Sequence, residues 1–116
     1  MSTQWVITLY AKYIEYIRTG EKTSEGRCDT KMFQPIEVGD TIKFYSSKEN
    51  FVIVQVLAKN KYKTFGDLVK GEGVQALIPD LKATDVEKAT KIYHSIPGYT
   101  KKEGRFGVVA FQIKVI

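Results

Sequence analysis

Cysteine and histidine are almost missing from this sequence, which has one of each, Cys28 and His94, in 116 residues. A lone cysteine cannot close an internal disulfide, which suits a reducing compartment. Two such side chains fall short of the three or four ligands that zinc takes. No metal site is therefore expected, and no cofactor. Long apolar runs are lacking too: none approaches the ~20 residues of a membrane-spanning helix. The opening Met1-Ser-Thr-Gln-Trp5 lacks the basic-then-apolar pattern of a secretory signal. These absences argue against membrane residence and secretion, leaving a soluble chain in cytoplasm or nucleus. There is no internal repeat, low-complexity tract or linker, and the length suits one domain over residues 1–116, expected to be monomeric.

What is present is ordinary in amount. Hydrophobic residues make up 43% and charged residues 27%, enough to bury a core without metals or disulfides. Eighteen Lys+Arg against thirteen Asp+Glu leave a net charge of +5. Such a surplus gathers polyanions and points toward nucleic acid, although mildly basic proteins without such partners also exist.

Along the chain, Trp5–Leu9 reads as an opening strand. Tyr10, Tyr13, Ile14 and Ile17 then form the stripe of a short amphipathic helix, with Lys12, Glu15 and Arg18 off it and Gly20 as the stop. Lys22–Cys28 is extended and polar. Pro35 and the turn Val38-Gly39-Asp40 separate it from two strands, Thr41–Tyr45 and Phe51–Ala58, joined by the hairpin loop Ser46–Asn50. The second is apolar on both faces, as in a barrel wall covered by helices. Thr64, with Asp67 three residues on, caps a helix carrying Phe65, Leu68 and Val69. Gly71 and Gly73 end it, and Val74–Ile78 forms one more turn. Thr84 and Glu87 read as a capping box opening a helix from Asp85 to about Ser95, with Val86, Ala89, Ile92 and Tyr93 inward. Pro97-Gly98 breaks it. Arg105–Ile116 reads as a long closing strand, with Phe106, Val108 and Ala110 on one face and Val109, Phe111 and Ile113 on the other. This order is α+β, and the last strand is expected beside the first, closing a small barrel of five to six strands flanked by short helices.

The stretch Gly20–Arg27 carries the chemistry. In extended geometry Glu25 and Arg27 share a face, and Lys22 points away unless the Gly20 turn rotates the strand entrance. A guanidinium fork, a carboxylate and an ammonium together can hold an amide, a base edge or a phosphate. The same residues also suit a solvated edge strand with a Glu–Arg ion pair.

Gly20-x-Lys22-Thr23-x-Glu25-x-Arg27 resembles the signature of the ASCH family, named for homology to a transcriptional cointegrator. The resemblance continues in Ile36–Phe44, in Tyr62-x-x-Phe65-x-x-Leu68, in Tyr93 and in Gly107–Phe111, spanning about residues 7–115. It implies a PUA-like β-barrel with a cleft beside the first helix, lined by the Lys–Glu–Arg segment. The implied function is RNA or nucleotide binding, linked to transcription coactivation or RNA metabolism. The alternative is a small hydrolase, either an amidohydrolase on N-acylated cytidine or a ribonuclease. The amidohydrolase arrangement is Lys-x-x-Thr. Here Lys22 is kept, but Glu25 stands where that threonine would be, and Ser24 falls one residue early, on the other face. If an enzyme, the chain has Lys22 and Glu25 as catalytic candidates, the carboxylate activating water and a cation stabilising the oxyanion.

The ligand-binding set expected on this reading is Lys22, Ser24, Glu25, Arg27, Tyr93 and Arg105, the last entering the closing strand beside the cleft. Lys59, Lys61 and Lys63, interleaved with Tyr62, and Lys101 and Lys102 are expected to follow a nucleic-acid backbone. Tyr62 suits either the core or base stacking. His94 suits a surface or capping place, Cys28 a small buried hydrophobe, and Trp5 the core. A protein partner is a further reading.

Overall fold

A computed structural model describes residues 2–116. The elements are β1 (Gln4–Thr8), α1 (Ala11–Arg18), β2 (Ser24–Cys28), β3 (Thr41–Tyr45), β4 (Phe51–Tyr62), α2 (Phe65–Glu72), α3 (Val74–Leu77), α4 (Val86–His94), α5 (Tyr99–Phe106) and β5 (Val108–Val115). The strands form one curled sheet, β1-β3-β4-β5-β2, parallel between β1 and β3 and antiparallel elsewhere. It is an α+β, PUA-like half-barrel.

The closing strand does not lie beside the first, as expected; β5 runs between β4 and β2. The cause is the length of β4, which at twelve residues outruns the anticipated Phe51–Ala58. Its first part pairs with β3 over Phe51–Gln55 and its second with β5 over Val54–Tyr62, through an irregularity between Val56 and Ala58. Such a bulge bends the strand and curls the sheet. β4 is also not buried on both faces. Val52, Val54 and Val56 point inward, while Phe51 and Leu57 are exposed, Leu57 by 50%.

Two cores result. Inside the curl, Ile7, Ile14, Ile17, Phe33, Ile36, Ile42, Phe44, the three β4 valines, Val109, Phe111 and Ile113 pack together. On the other face of β5, Val108 and Ala110 meet Phe65, Leu68, Val69, Leu77, Ala89 and Tyr93 from the helices. The alternation read along the last strand is therefore real, and it assigns one face of β5 to each core. Burying each of the larger side chains contributes about 1.5–3 kcal/mol.

Local chemistry sets the ends of the elements. Thr64 Oγ1 accepts the Asp67 N–H at 3.1 Å, the expected cap of α2. The capping box at Thr84 does not form. Asp85 takes the cap position without a side-chain cap bond, its carboxylate accepting the Lys82 N–H at 3.0 Å. Tyr10 is likewise no part of the buried stripe: it caps α1 and is 74% exposed, leaving Ile14 and Ile17 as that helix's buried residues. Helix α5 was not anticipated, and it takes in Lys101–Arg105. Its inner stripe is Tyr99, Glu103 and Phe106, each half-buried; the polar residue at its centre hides the helical period. Gly107, at φ +72°, ends α5 and starts β5.

Asp40 staples the sheet edge. Its Oδ1 accepts the Thr3 N–H at 3.0 Å, and its Oδ2 accepts Trp5 Nε1–H at 2.9 Å and the Glu37 N–H at 3.0 Å. Trp5, expected in the core, is half-buried against it. No helix among the described residues is long and apolar enough to cross a membrane.

Candidate functional site

Gly20, at φ +83°, turns the chain out of α1, and the Lys22 N–H then donates to Tyr16 O at 2.9 Å. This rotation brings Lys22 round to the face of Glu25 and Arg27. In β2, Glu25 pairs with Phe111 and Arg27 with Val109, both deep in the sheet core. The three charges form one line through the Glu25 carboxylate. Oε1 takes Lys22 Nζ at 3.0 Å, and Oε2 takes Arg27 Nε and Nη2, each at 2.8 Å. Lys22 Nζ also donates to Leu77 O at 2.6 Å and Ser24 O at 2.7 Å, so all three of its protons have acceptors. Arg27 Nη2 reaches across the open side of the half-barrel to Thr8 O at 3.0 Å, with its guanidinium 5.3 Å from the Phe33 ring centroid.

Water is nearly excluded. Side-chain exposure is 2% for Lys22, 7% for Glu25 and 14% for Arg27. Burial pushes the Glu25 carboxyl up, but the charges of Lys22 and Arg27 outweigh it and hold the carboxyl below its ordinary range. Burial pushes the Lys22 ammonium down against the pull of Glu25. The two partners thus move against each other, and the three acceptors around Nζ decide for the ionised pair. For Arg27, burial works downward, and Glu25 outweighs it and raises the guanidinium further.

Tyrosines surround the line. Lys22 Nζ lies 5.4 Å from the Tyr13 ring centroid. Tyr93 stacks on Phe65 at 4.4 Å, and Tyr99 stacks on the same ring at 5.7 Å. Burial raises the phenol of Tyr93 well above its ordinary value, with the Glu25 charge adding to it. Gly26 allows this placement: a Cβ there would stand 2.9 Å from Tyr93 Oη and 3.2 Å from Leu68 Cδ2.

Ser24, one of the expected ligand-binding residues, faces away from the triad, as strand alternation requires. Its Oγ donates to Glu72 Oε1 at 2.8 Å, in a second cluster where Glu72 Oε2 accepts from Tyr62 Oη at 2.6 Å and Asn60 Nδ2 at 3.0 Å. Burial pushes Glu72 up, and these hydrogen bonds prevail and hold it low; the same bond pushes Tyr62 up to about 12. Tyr62 thereby joins a polar cluster at the core's margin. Sequence reasoning missed Glu72, whose partners Ser24 and Asn60 lie far along the chain; beside it, a Cβ at Gly71 would stand 2.5 Å from Tyr62 Oη.

Arg105 does not enter the closing strand. It lies exposed in the last turn of α5, its guanidinium 5.0 Å from the Phe106 ring centroid. Lys59 donates to Gln34 O at 2.8 Å, and Lys61 sits 3.6 Å from Asp29 Oδ2. By register, Lys59 and Lys61 stand in the same cross-strand rows as Glu25 and Arg27, with β5 between them. Lys63, Lys101 and Lys102 are exposed. His94 pairs with Glu103 Oε1 at 3.0 Å at the surface. Cys28 is buried, and burial pushes its thiol up to about 11. A depression of about 280 Å³, lined by the end of α1, Lys22, Thr23 and the end of β5, touches the triad at Lys22 alone. This depression does not run along all three charges, as the expected cleft would; it meets Lys22, and Arg27 is the most exposed of the three at 14%.

The ASCH domain profile matches residues 7–116. No curated protein matches the chain. Among solved structures, the crystal structure of the hypothetical protein PH0355 superposes with a TM-score of 0.87 at 31% identity, covering 97% of this chain and 99% of that one. The solution NMR structure of protein PF0455 from Pyrococcus furiosus gives 0.74 at 27% identity, covering 97% of each. The crystal structure of ASCH from Zymomonas mobilis gives 0.65 at 14% identity, covering 97% of this chain and 70% of that one, a likeness of fold. With the Lys22–Glu25–Arg27 line in place on this half-barrel and the profile spanning nearly all of it, the chain belongs to the ASCH domain family.

Proposed function

We propose that this chain binds RNA or a nucleotide, with Glu25 and Arg27 reading the base and Lys22 holding Glu25 ionised. The observation that carries this reading is the burial of three charged side chains in one hydrogen-bonded line beside tyrosine rings. A buried ion pair is often no more stable than well-packed apolar residues of the same volume, so stability alone gives little reason for it. Strongly perturbed charges gathered at a partly open place mark functional sites. A carboxylate accepts from an exocyclic amine and a guanidinium donates to base acceptors, while a tyrosine ring offers a stacking face. Lys59, Lys61, Lys63, Lys101 and Lys102 supply the cations that a sugar–phosphate chain needs.

Fluorescence anisotropy with a panel of short RNAs tests this. Binding should weaken as salt rises. Lys63→Ala should weaken every RNA alike and lower the salt slope by about one counterion, whereas Glu25→Ala should change which base is preferred. Absence of RNA and nucleotide binding at low salt would remove the proposal.

A hydrolase is the second reading, and the Ser24–Glu72 hydrogen bond favours it by giving a buried hydroxyl a carboxylate partner. Lys22 meets the Ser24 carbonyl and not its hydroxyl, so Ser24 would depend on Glu72 as base. Turnover of N-acylated cytidine or RNA that is abolished by Ser24→Ala would establish it. No turnover of either would end it.

A further inference from the structure

We infer that α5 is a hinged strap over the Arg27 end of the triad, latched by Glu103 and able to lift without unfolding the half-barrel. Its role in admitting a ligand rests on the binding reading above.

Packing sets α5 apart. It has eight residues, none of them buried, whereas α1, α2, α3 and α4 each bury at least two. Elements with few buried apolar contacts open first in a folded protein. Both ends of α5 are glycines at positive φ, Gly98 at +82° and Gly107 at +72°, where other residues are strained. Gly107 is also pinned: its carbonyl accepts the Asp29 N–H at 3.0 Å, and a Cβ there would meet Tyr62 O at 3.0 Å. The Gly98 end is therefore the one free to lift, turning about the pinned Gly107.

One side chain ties the helix to both of its neighbours. Glu103, 13% exposed, places Oε2 2.6 Å from the Phe65 N–H and Oε1 3.0 Å from His94 Nε2. The Phe65 N–H is the first of α2, one of the helix-end donors without an intrahelical partner, and a carboxylate there also meets the positive end of the helix dipole. A single carboxylate thus ties α5 to the start of α2 and the end of α4. The second tie is Tyr99, stacked on Phe65.

Beneath the strap lies the site. Tyr99 meets the end of β2 at Cys28, next to Arg27; burial raises its phenol, with the Arg27 charge working against it. The Tyr99 carbonyl covers Cys28, whose Sγ lies 3.6 Å from it and which is itself 2% exposed. Lifting the Gly98 end would remove Tyr99 from both and uncover the last residues of β2. Lys101 and Lys102 travel with the strap, so closure after binding would bring two cations down over a phosphate.

Cys28 is the chain's only thiol and makes a reporter of this motion. The experiment is the rate at which an aromatic disulfide reagent labels Cys28 in folded protein without nucleotide, in wild type, Glu103→Gln and His94→Gln. Global stability is followed in parallel by urea unfolding. In wild type, labelling should be slow and insensitive to low urea, the mark of local opening. Glu103→Gln should speed it by about tenfold or more, the factor that loss of one charge-assisted hydrogen bond carries. His94→Gln should speed it less. Amide exchange over residues 99–106 should rise in step, with α2 and α4 beyond their contacts with Glu103 unchanged. Should Glu103→Gln fail to fold, His94→Gln and the wild-type urea dependence still decide. Labelling that occurs only through global unfolding, or that neither variant accelerates, overturns the strap. A cytidine monophosphate and short-RNA arm separates the two claims: faster labelling in the variants with no nucleotide effect leaves the strap standing and removes its ligand.

Discussion

At the scale of single residues, a carboxylate held between an ammonium and a guanidinium, with almost no water beside it, stays ionised at neutral pH. Glu25→Gln would leave Lys22 and Arg27 buried without their countercharge. Removing one partner of such a set costs about 3–5 kcal/mol, to be read as a fall in the urea midpoint. The pH dependence has a definite sign. The folded-state carboxyl lies below its ordinary range, so its contribution is complete above the unfolded-state value of about 4.3 and is lost as pH falls through the folded one. The gap between wild type and Glu25→Gln should therefore be widest near neutrality and close in acid. A gap unchanged down to acid pH would mean that the pair contributes nothing. Gly26 offers a second check. Gly26→Ala forces a methyl to within 2.9 Å of Tyr93 Oη and should cost about 1–3 kcal/mol, as overpacking does. Tyr93→Phe in the same chain should relieve part of it, since the hydroxyl is the nearest atom. At this scale the sequence was legible in part. The shared face of Glu25 and Arg27 follows from strand alternation, and so does the opposite direction of Ser24. The arrival of Lys22 depended on the torsion at Gly20, which alternation cannot supply. Glu72 lies 48 residues from Ser24, and nothing local announces so distant a partner.

Among elements, β1 pairs with β3 along its length and is further tied to the turn preceding β3 through a single residue. Asp40 binds the Thr3 and Glu37 amides and the Trp5 indole at once, and these three hydrogen bonds, outweighing the effect of burial, lower its carboxyl. Asp40→Ala should lower the melting temperature and shift Trp5 fluorescence toward that of an indole in water. An unchanged Trp5 spectrum would show that β1 does not depend on this staple. The Val38-Gly39-Asp40 turn was readable as a turn, but its reach back to β1 was not, because the partner strand is 35 residues away. The same limit explains the sheet order. Alternation identified the faces of β3 and β5, but the near-continuous apolar run of β4 hid its exposed face, and the neighbours of β5 were set by the length and bulge of β4. Helix α5 escaped notice for a different reason. A stripe of Tyr99, Glu103 and Phe106 has a charged residue where the period asks for an apolar one, and Gly104 lowers its helix propensity further.

For the molecule as a whole, the half-barrel divides its polar chemistry between the two faces of β2. One face holds the Lys22–Glu25–Arg27 line, closed over by α1, α3 and the Tyr99 end of α5. The other holds Ser24 with Glu72, Tyr62 and Asn60. Lys59 and Lys61 on β4 and Lys101, Lys102 and Arg105 on α5 lie outside both. The proposed RNA binding predicts that affinity and selectivity come from different places: exposed lysines should give salt-dependent affinity, and the buried line preference among bases. The most direct test is an NMR titration of the protein with cytidine monophosphate and then with short RNAs, following backbone amides and the Arg27 Nε–H. Ligand recognition by the buried line predicts that the Arg27 Nε–H and the amides of Tyr13, Glu25, Arg27 and Tyr99 shift together and saturate with a single affinity. Shifts confined to residues 59–63 and 101–102, or no shifts at all, would contradict it.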